Sequence, residues 1–500
     1  MMNVDVRVDP LDALPADLIA VFVAPSPAAL TGRAAAVDGA LGGALEELRA
    51  AGDLSGKREE TALLYSRGAL PAKRVLAVGL GSAEFAAEDL RVAAAASAKA
   101  ARRLRLSHYH VALPGAGPLG AEEAAQAVVE GALLGGYAFL ERKSDASGEN
   151  PAIEGLTVVC DPVDREAAAR GAERGRVIAE AVTLARDLAN MPANFLTPTL
   201  LAERAGAVAG ETGLARQVLE ESDMAELGMG ALLGVAQGSD EPAKFIILEH
   251  NAGRDDLPTY VVVGKGITFD SGGISLKPGE GMEWMKDDMS GAAVTLGVMQ
   301  AVARLSVPLH VVGLLPATEN LPSGRAYKPG DVLESLSGLT IEVISTDAEG
   351  RLILADALAY AKRYAPKAVV DLATLTGACV VALGHVSSGL MATDDALAEA
   401  LLAASRATGE KIWRLPLYDE YAEQIKSDVA DIKNSGGRPA GAISAGHFLK
   451  RFAEGYPWAH LDIAGTSKVD QDRGYVLKGA TGHGVRLLVE WLRDRAADAK

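Results

Sequence analysis

Short apolar runs, too brief to be buried helices, recur along this 500-residue chain with longer helical stretches between them. That alternation constrains the fold more than any other feature. Residues 18–23 (LIAVFV), 74–78 (RVLAV), 108–113 (HYHVAL) and 156–160 (LTVVC) read as strands, with helices expected over 86–104 and 121–137. The pattern returns in residues 245–248 (FIIL), 260–263 (YVVV), 311–315 (VVGLL) and 368–371 (AVVD), with helices expected over 290–305 and 352–364. Strands that are apolar throughout need cover on both faces, and parallel neighbours need helical crossovers. The chain is therefore expected to be α/β, with two α/β domains. The smaller N-terminal one should hold a mixed sheet, and the larger C-terminal one a central, largely parallel sheet flanked by helices.

A length of 500 residues exceeds what one ordinary core encloses. A polar helix from about 164 to 188 precedes Asn190-Met191-Pro192-Ala193-Asn194, and the proline discourages helix continuation. The expected division is an N-terminal domain over 1–163, a connecting helix over 164–189 and a C-terminal domain over 190–500. Formal charge is −17, so nucleic acid is not the expected partner. Two cysteines, Cys160 and Cys379, exclude a disulfide framework and a thiolate metal cluster, and fit a reducing compartment. The start, MMNVDVRVDPLDAL, has no apolar core of signal length, and no apolar run is long enough to span a bilayer. The expectation is a cytoplasmic protein.

Chemistry-bearing residues concentrate between Lys265 and Arg351. The strand at 261–263 runs straight into a glycine-flanked segment holding Lys265 and Asp270, and open α/β sheets bind ligands where strands end. Asp288 opens an apolar helix. Asp347 and Glu349 follow a strand expected over 341–344; at i and i+2 of extended chain they would point the same way. Each acid taken singly reads more often as a helix cap or a solvated residue. Four acids at element junctions of one domain repel one another unless cations lie between them, and such oxygen donors suit Mg²⁺, Mn²⁺ or Zn²⁺.

At these residues the chain resembles the leucyl aminopeptidase family, also called cytosol aminopeptidases. The resemblance rests on 263–273 (VGKGITFDSGG), 285–293 (MKDDMSGAA), 346–352 (TDAEGRL), 371–377 (DLATLTG), 458–465 (WAHLDIAG) and 190–194 (NMPAN). It implies a metallo-aminopeptidase that removes leucine and other apolar N-terminal residues in intracellular peptide turnover. Two divalent ions, Mn²⁺ or Zn²⁺, would be bound. Lys265, Asp270, Asp288 and Glu349 would hold one, and Asp270, Asp347 and Glu349 the other, with Asp347 also offering its backbone carbonyl. Lys277 and Arg351 map onto the family's catalytic lysine and arginine, Arg351 as the holder of a bicarbonate that acts as general base. Met285, Thr374, Gly377 and Ala464 resemble the pocket for the N-terminal side chain. The resemblance also implies a homohexamer acting on peptides. Ser345 and Ser290 depart from the family's usual Asn and Cys; neither is a ligand position.

Other signals carry less. Residues 115–120 (GAGPLG) match G-x-G-x-x-G, but Pro118 lacks a backbone donor where a phosphate would lie. The Asp270-Ser271-Gly272-Gly273 loop superficially resembles a serine-protease loop, but its lysine and carboxylate context argues against a triad. No H-E-x-x-H occurs. Arg102, Arg103 and Arg105 form only a short basic cluster, so a DNA-binding role is the weaker alternative.

Overall fold

The computed structural model describes residues 2–115, 117–144 and 153–498. Of the 115–120 loop, Ala116 lies outside the described residues. The chain forms two compact units, Met1–Thr183 with Asp470–Lys478, and Leu184–Val469 with Gly479–Lys500.

In the first unit, strands β1 (Asn3–Arg7), β2 (Ile19–Val23), β3 (Thr61–Tyr65), β4 (Arg74–Gly79), β5 (His108–Ala112) and β6 (Gly155–Val159) form one sheet in the order β1-β6-β5-β2-β4-β3. Every pairing is parallel except that of β3 with β4. The apolar run of β2 alternates between two cores. Ala20 and Phe22 pack with Leu90, Val128 and Val129 of the helices Ala87–Arg103 and Ala121–Gly135. Ile19, Val21 and Val23 pack on the other face with Val37 and Leu45 of Gly32–Ala40 and Ala44–Ala51. A strand covered on both faces has no polar side to show, which explains the unbroken run. These four helices are α3, α4, α1 and α2 in chain order; α5 (Arg165–Asn190) continues from the first unit into the second.

The second unit is built on a nine-stranded sheet. Its strands are β7 (Ala215–Leu219), β8 (Lys244–His250), β9 (Thr259–Gly264), β10 (Gly266–Asp270), β11 (His310–Asn320), β14 (Ala368–Ala373), β15 (Ser388–Ala392), β16 (Ile412–Arg414) and β18 (Trp458–Asp462). Its middle is parallel, β18-β14-β9-β11, with β10 beside the end of β11. Antiparallel neighbours lie outside that centre. A separate small sheet joins β12 (Val332–Glu334), β13 (Thr340–Glu342) and β17 (Ile432–Lys433). Helices α6 (Pro198–Thr212), α7 (Glu221–Leu227), α8 (Gly230–Ala236), α9 (Ser290–Arg304), α10 (Gly350–Ala361) and α11 (Gly377–Leu383) belong to this unit. Val261 and Val263 of β9 and Val312 and Leu314 of β11 share one core with Leu232 and Val235 of α8 and Leu354 and Leu358 of α10.

One irregularity positions the site. The first half of β11 pairs with β9 and its second half with β10, leaving Lys265 between them opposite Pro316. Proline has no N–H to give the ladder there. Instead the Lys265 amide donates to the Leu372 carbonyl (3.1 Å), and its carbonyl accepts from the Ala292 amide (2.8 Å) at the start of α9. Gly291 permits this approach, since a Cβ on it would lie 2.2 Å from the Leu372 oxygen and 2.7 Å from the Lys265 nitrogen. Gly291→Ala is expected to cost about 1–3 kcal/mol, the range for overpacking. A thermal unfolding midpoint within a degree of wild type would contradict that close packing.

Candidate metal centre

The break at Lys265 turns its side chain into the interior, where the residue is 3% exposed. Its Nζ lies 2.8 Å from Asp288 and 2.9 Å from Glu349, and donates to the Thr374 carbonyl at 3.0 Å. Asp270 ends β10. Beyond it the left-handed Gly272 and Gly273 reverse the chain, and the Lys277 amide donates back to the Ser271 carbonyl (2.9 Å). That return brings Lys277 Nζ to 2.8 Å from Asp270 and into contact with Asp347. Asp288 follows the short helix Met282–Asp287 and accepts from the Thr374 hydroxyl at 2.6 Å.

Asp347 and Glu349 reach the cluster differently from the extended-chain expectation. The strand ends at Glu342, in the small sheet; Asp347 lies in a turn, and Glu349 has helical angles (φ −74°, ψ −37°) at the entrance to α10. The hydroxyl of Thr346 donates to the Gly272 carbonyl (2.6 Å) and that of Tyr327 to the Thr346 carbonyl (2.8 Å). The turn therefore converges these carboxylates, where strand alternation was expected to. Carboxylate oxygens of Asp270, Asp347 and Glu349 all lie within 4.8 Å of one another.

Charge in this cluster is unbalanced. Three buried carboxylates and that of exposed Asp347 face two ammonium groups. Burial pushes the carboxyls of Asp270 and Asp288 up, each reinforced by neighbouring carboxylates and opposed by the lysines. Burial also pushes Asp347 up to about 6 against the pull of Lys277. Glu349 alone is held below its usual range, because Lys265 and Lys277 together outweigh its burial. Burial lowers both ammonium groups, but the surrounding carboxylates dominate and hold them above the ordinary lysine range. An oxygen-rich cluster with surplus negative charge has the donor chemistry of a hard divalent cation site.

Arg351 lies apart from these ion pairs. It is buried, its Nη1 donates to the Asn434 carbonyl (2.7 Å), and burial lowers its pKa to about 10 despite Glu349 and Asp462 nearby. Two of the four expected pocket residues bond to acids, Thr374 to Asp288 and Ala464 to Asp462. Thr374 holds Asp288, and Asp288 follows Met285 with its amide 3.4 Å from the Met285 carbonyl. Fully buried Asp462 then accepts from the amides of Leu375 (3.3 Å) and Ala464 (3.2 Å) and from the Thr376 hydroxyl (2.6 Å), just before α11. Gly377 opens that helix, with nothing within 4 Å of where its Cβ would be. Asp462 and Asn320 were not singled out from the sequence. Both end strands of the central sheet, the one local signal that would have found them.

Residues 183–489 match the model of the cytosol aminopeptidase family catalytic domain, and residues 19–146 that of the family's N-terminal domain. A probable cytosol aminopeptidase of Roseiflexus castenholzii is 52% identical over 454 residues, 90% of this chain and 93% of the relative. Among solved structures, a mutant of tomato leucine aminopeptidase is similar with a TM-score of 0.88 at 34% identity, covering 99% of this chain and 97% of that one. The bottromycin maturation enzyme BotP, in complex with Mn, is similar with a TM-score of 0.86 at 38% identity, covering 96% and 100%. This chain belongs to the cytosol aminopeptidase family and is an aminopeptidase, a hydrolase acting on peptides.

Proposed function

We propose that this aminopeptidase releases leucine and other apolar N-terminal residues using two divalent ions, in intracellular peptide turnover. The observation that carries the reading is the convergence of Asp270, Asp288, Asp347 and Glu349, from separate segments, on two lysines too few to neutralise them. Lys265, Asp270, Asp288 and Glu349 would hold one ion, and Asp270, Asp347 and Glu349 the other. Mn²⁺ or Zn²⁺ fits these donors, and the BotP structure with Mn supports manganese. When bound, such ions acidify water into a nucleophile and accept negative charge from a carbonyl oxygen.

The protein's own side chains supply the rest. Lys265 must give up its Nζ proton to offer a lone pair, which its buried amine can do once cations offset the acids around it. Lys277, 22% exposed and on a returning loop, keeps its proton and faces the substrate carbonyl, where its charge stabilises a developing oxyanion. Arg351 would hold a bicarbonate acting as general base. Met285, Thr374, Gly377 and Ala464 would receive the apolar side chain, with open space at Gly377 leaving it room. A cytoplasmic homohexamer completes the proposal. Among the described residues no helix is long and apolar enough to cross a membrane.

Leucine p-nitroanilide hydrolysis should vanish on chelation and return with Mn²⁺ or Zn²⁺. N-acetyl-leucine p-nitroanilide should remain uncut, because the acetyl group removes the free amine that the site needs. Equal cleavage of both substrates, or full activity in chelator, would refute the mechanism.

A further inference from the structure

Asn320 is fully buried at the last position of β11, paired in register with Asp270 of β10. Its Nδ2 donates to Asp270 Oδ1 (2.8 Å) and to the Thr346 carbonyl (2.9 Å), and lies 3.4 Å from Glu349 Oε2. Three acceptors around one atom identify it as the amide nitrogen. The Asn320 main-chain carbonyl meanwhile accepts from the Ser271 amide (3.0 Å) and hydroxyl (2.7 Å). One residue thus ties together the two segments that carry Asp270 and the Asp347–Glu349 pair. Its Oδ1 is buried without a hydrogen-bond partner and faces Gly273, whose Cβ, were there one, would lie 2.7 Å from that oxygen. Gly273 is left-handed (φ +65°), so the reversing loop passes close over the amide only because no side chain intervenes.

The chemistry of the amide matters. A lysine here would cancel charge that cations need, and an aspartate would repel the two carboxylates. A neutral donor orients both and leaves their charge intact. We infer that Asn320 is a positioning residue for the metal pair, fixing the two carboxylates proposed to be shared, Asp270 and Glu349, in the orientation that lets each serve both ions. This rests on the two-ion reading of the site.

Asn320→Leu tests it, because leucine is close in shape and has no donor. The orphaned acceptors keep other partners: Asp270 Oδ1 has the Gly272 amide at 2.9 Å, and the Thr346 carbonyl has the Tyr327 hydroxyl. Mn²⁺ and Zn²⁺ would each be titrated into chelator-stripped wild type and variant, with unfolding midpoints recorded in chelator and in metal. We expect at least one ion to bind roughly 10–100-fold more weakly, the usual cost of losing a group that orients a ligand. The rise in midpoint on adding metal should shrink accordingly, and kcat should recover at saturating metal. Unchanged affinity for both ions would overturn the inference. So would full occupancy with kcat still down a hundredfold, since the side chain would then act on substrate. Wild type that binds neither ion would remove the two-ion reading and this inference with it; wild type that binds two while the variant matches it removes the inference alone. Should Asn320→Leu fail to fold in chelator, Asn320→Ala is titrated in the same way, with the same expected and overturning results.

Discussion

Glu349→Gln is expected to lower turnover by about 10³-fold or more, the loss that follows when several kcal/mol of metal-centred charge stabilisation disappear. Glu349 is 2% exposed, contacts Lys265, and lies in the carboxylate group with Asp270 and Asp347. Glutamine keeps its shape and removes the negative charge that offsets cations, so metal content should fall with activity. The metal-free fold should survive, because Asp288 still pairs with Lys265 at 2.8 Å. Asp347→Asn is also expected to abolish turnover. Its side chain is 38% exposed and contacts Lys277, so its loss should perturb metal-free stability less than the Glu349 change. Near-normal kcat with two ions bound in either variant would show that the carboxylates do not hold the working metals.

The second large effect separates the two lysines. Lys277→Ala is expected to retain both metals and lower kcat roughly 10²–10³-fold, as when one oxyanion donor is lost. Lys265→Arg should instead lose metal, because a guanidinium stays protonated, has no lone pair to offer and repels dications. The structure places the two differently. Lys265 is locked between Asp288, Glu349 and the Thr374 carbonyl, whereas Lys277 is reached through the reversing loop and keeps partial access to solvent. Metal content by mass spectrometry, measured beside kcat, decides the matter. The assignment is reversed if Lys277→Ala loses metal while Lys265→Arg keeps both ions.

Much of the fold is legible because its signals are local. The runs at 18–23 and 260–263 are apolar at consecutive positions, and only strands covered on both faces satisfy such runs. The helices expected over 86–104 and 290–305 occur as Ala87–Arg103 and Ser290–Arg304. Edge strands announce themselves less clearly. β1 (NVDVR) and β3 (TALLY) are short and half-exposed, and the three-residue β12 of the small sheet carries too little pattern to stand out.

The residue types at the candidate site were equally legible, since Lys265, Asp270, Asp288, Asp347 and Glu349 lie in distinctive local motifs at element junctions. Sequence alone therefore determined the α/β layering, the family and the roster of acids and lysines. Only the tertiary structure decided how they meet. The break opposite Pro316 turns Lys265 inward, the glycine turn returns Lys277 to Asp270, and a turn rather than a strand delivers Asp347 beside Glu349. Asn320 and Asp462 acquire their importance only there, because a single Asn or Asp at a strand end has no pattern of its own. The physical reason is range: backbone periodicity depends on neighbours a few residues away, while a charge cluster depends on hydrogen bonds between segments dozens of residues apart, such as that from Asn320 to Asp270.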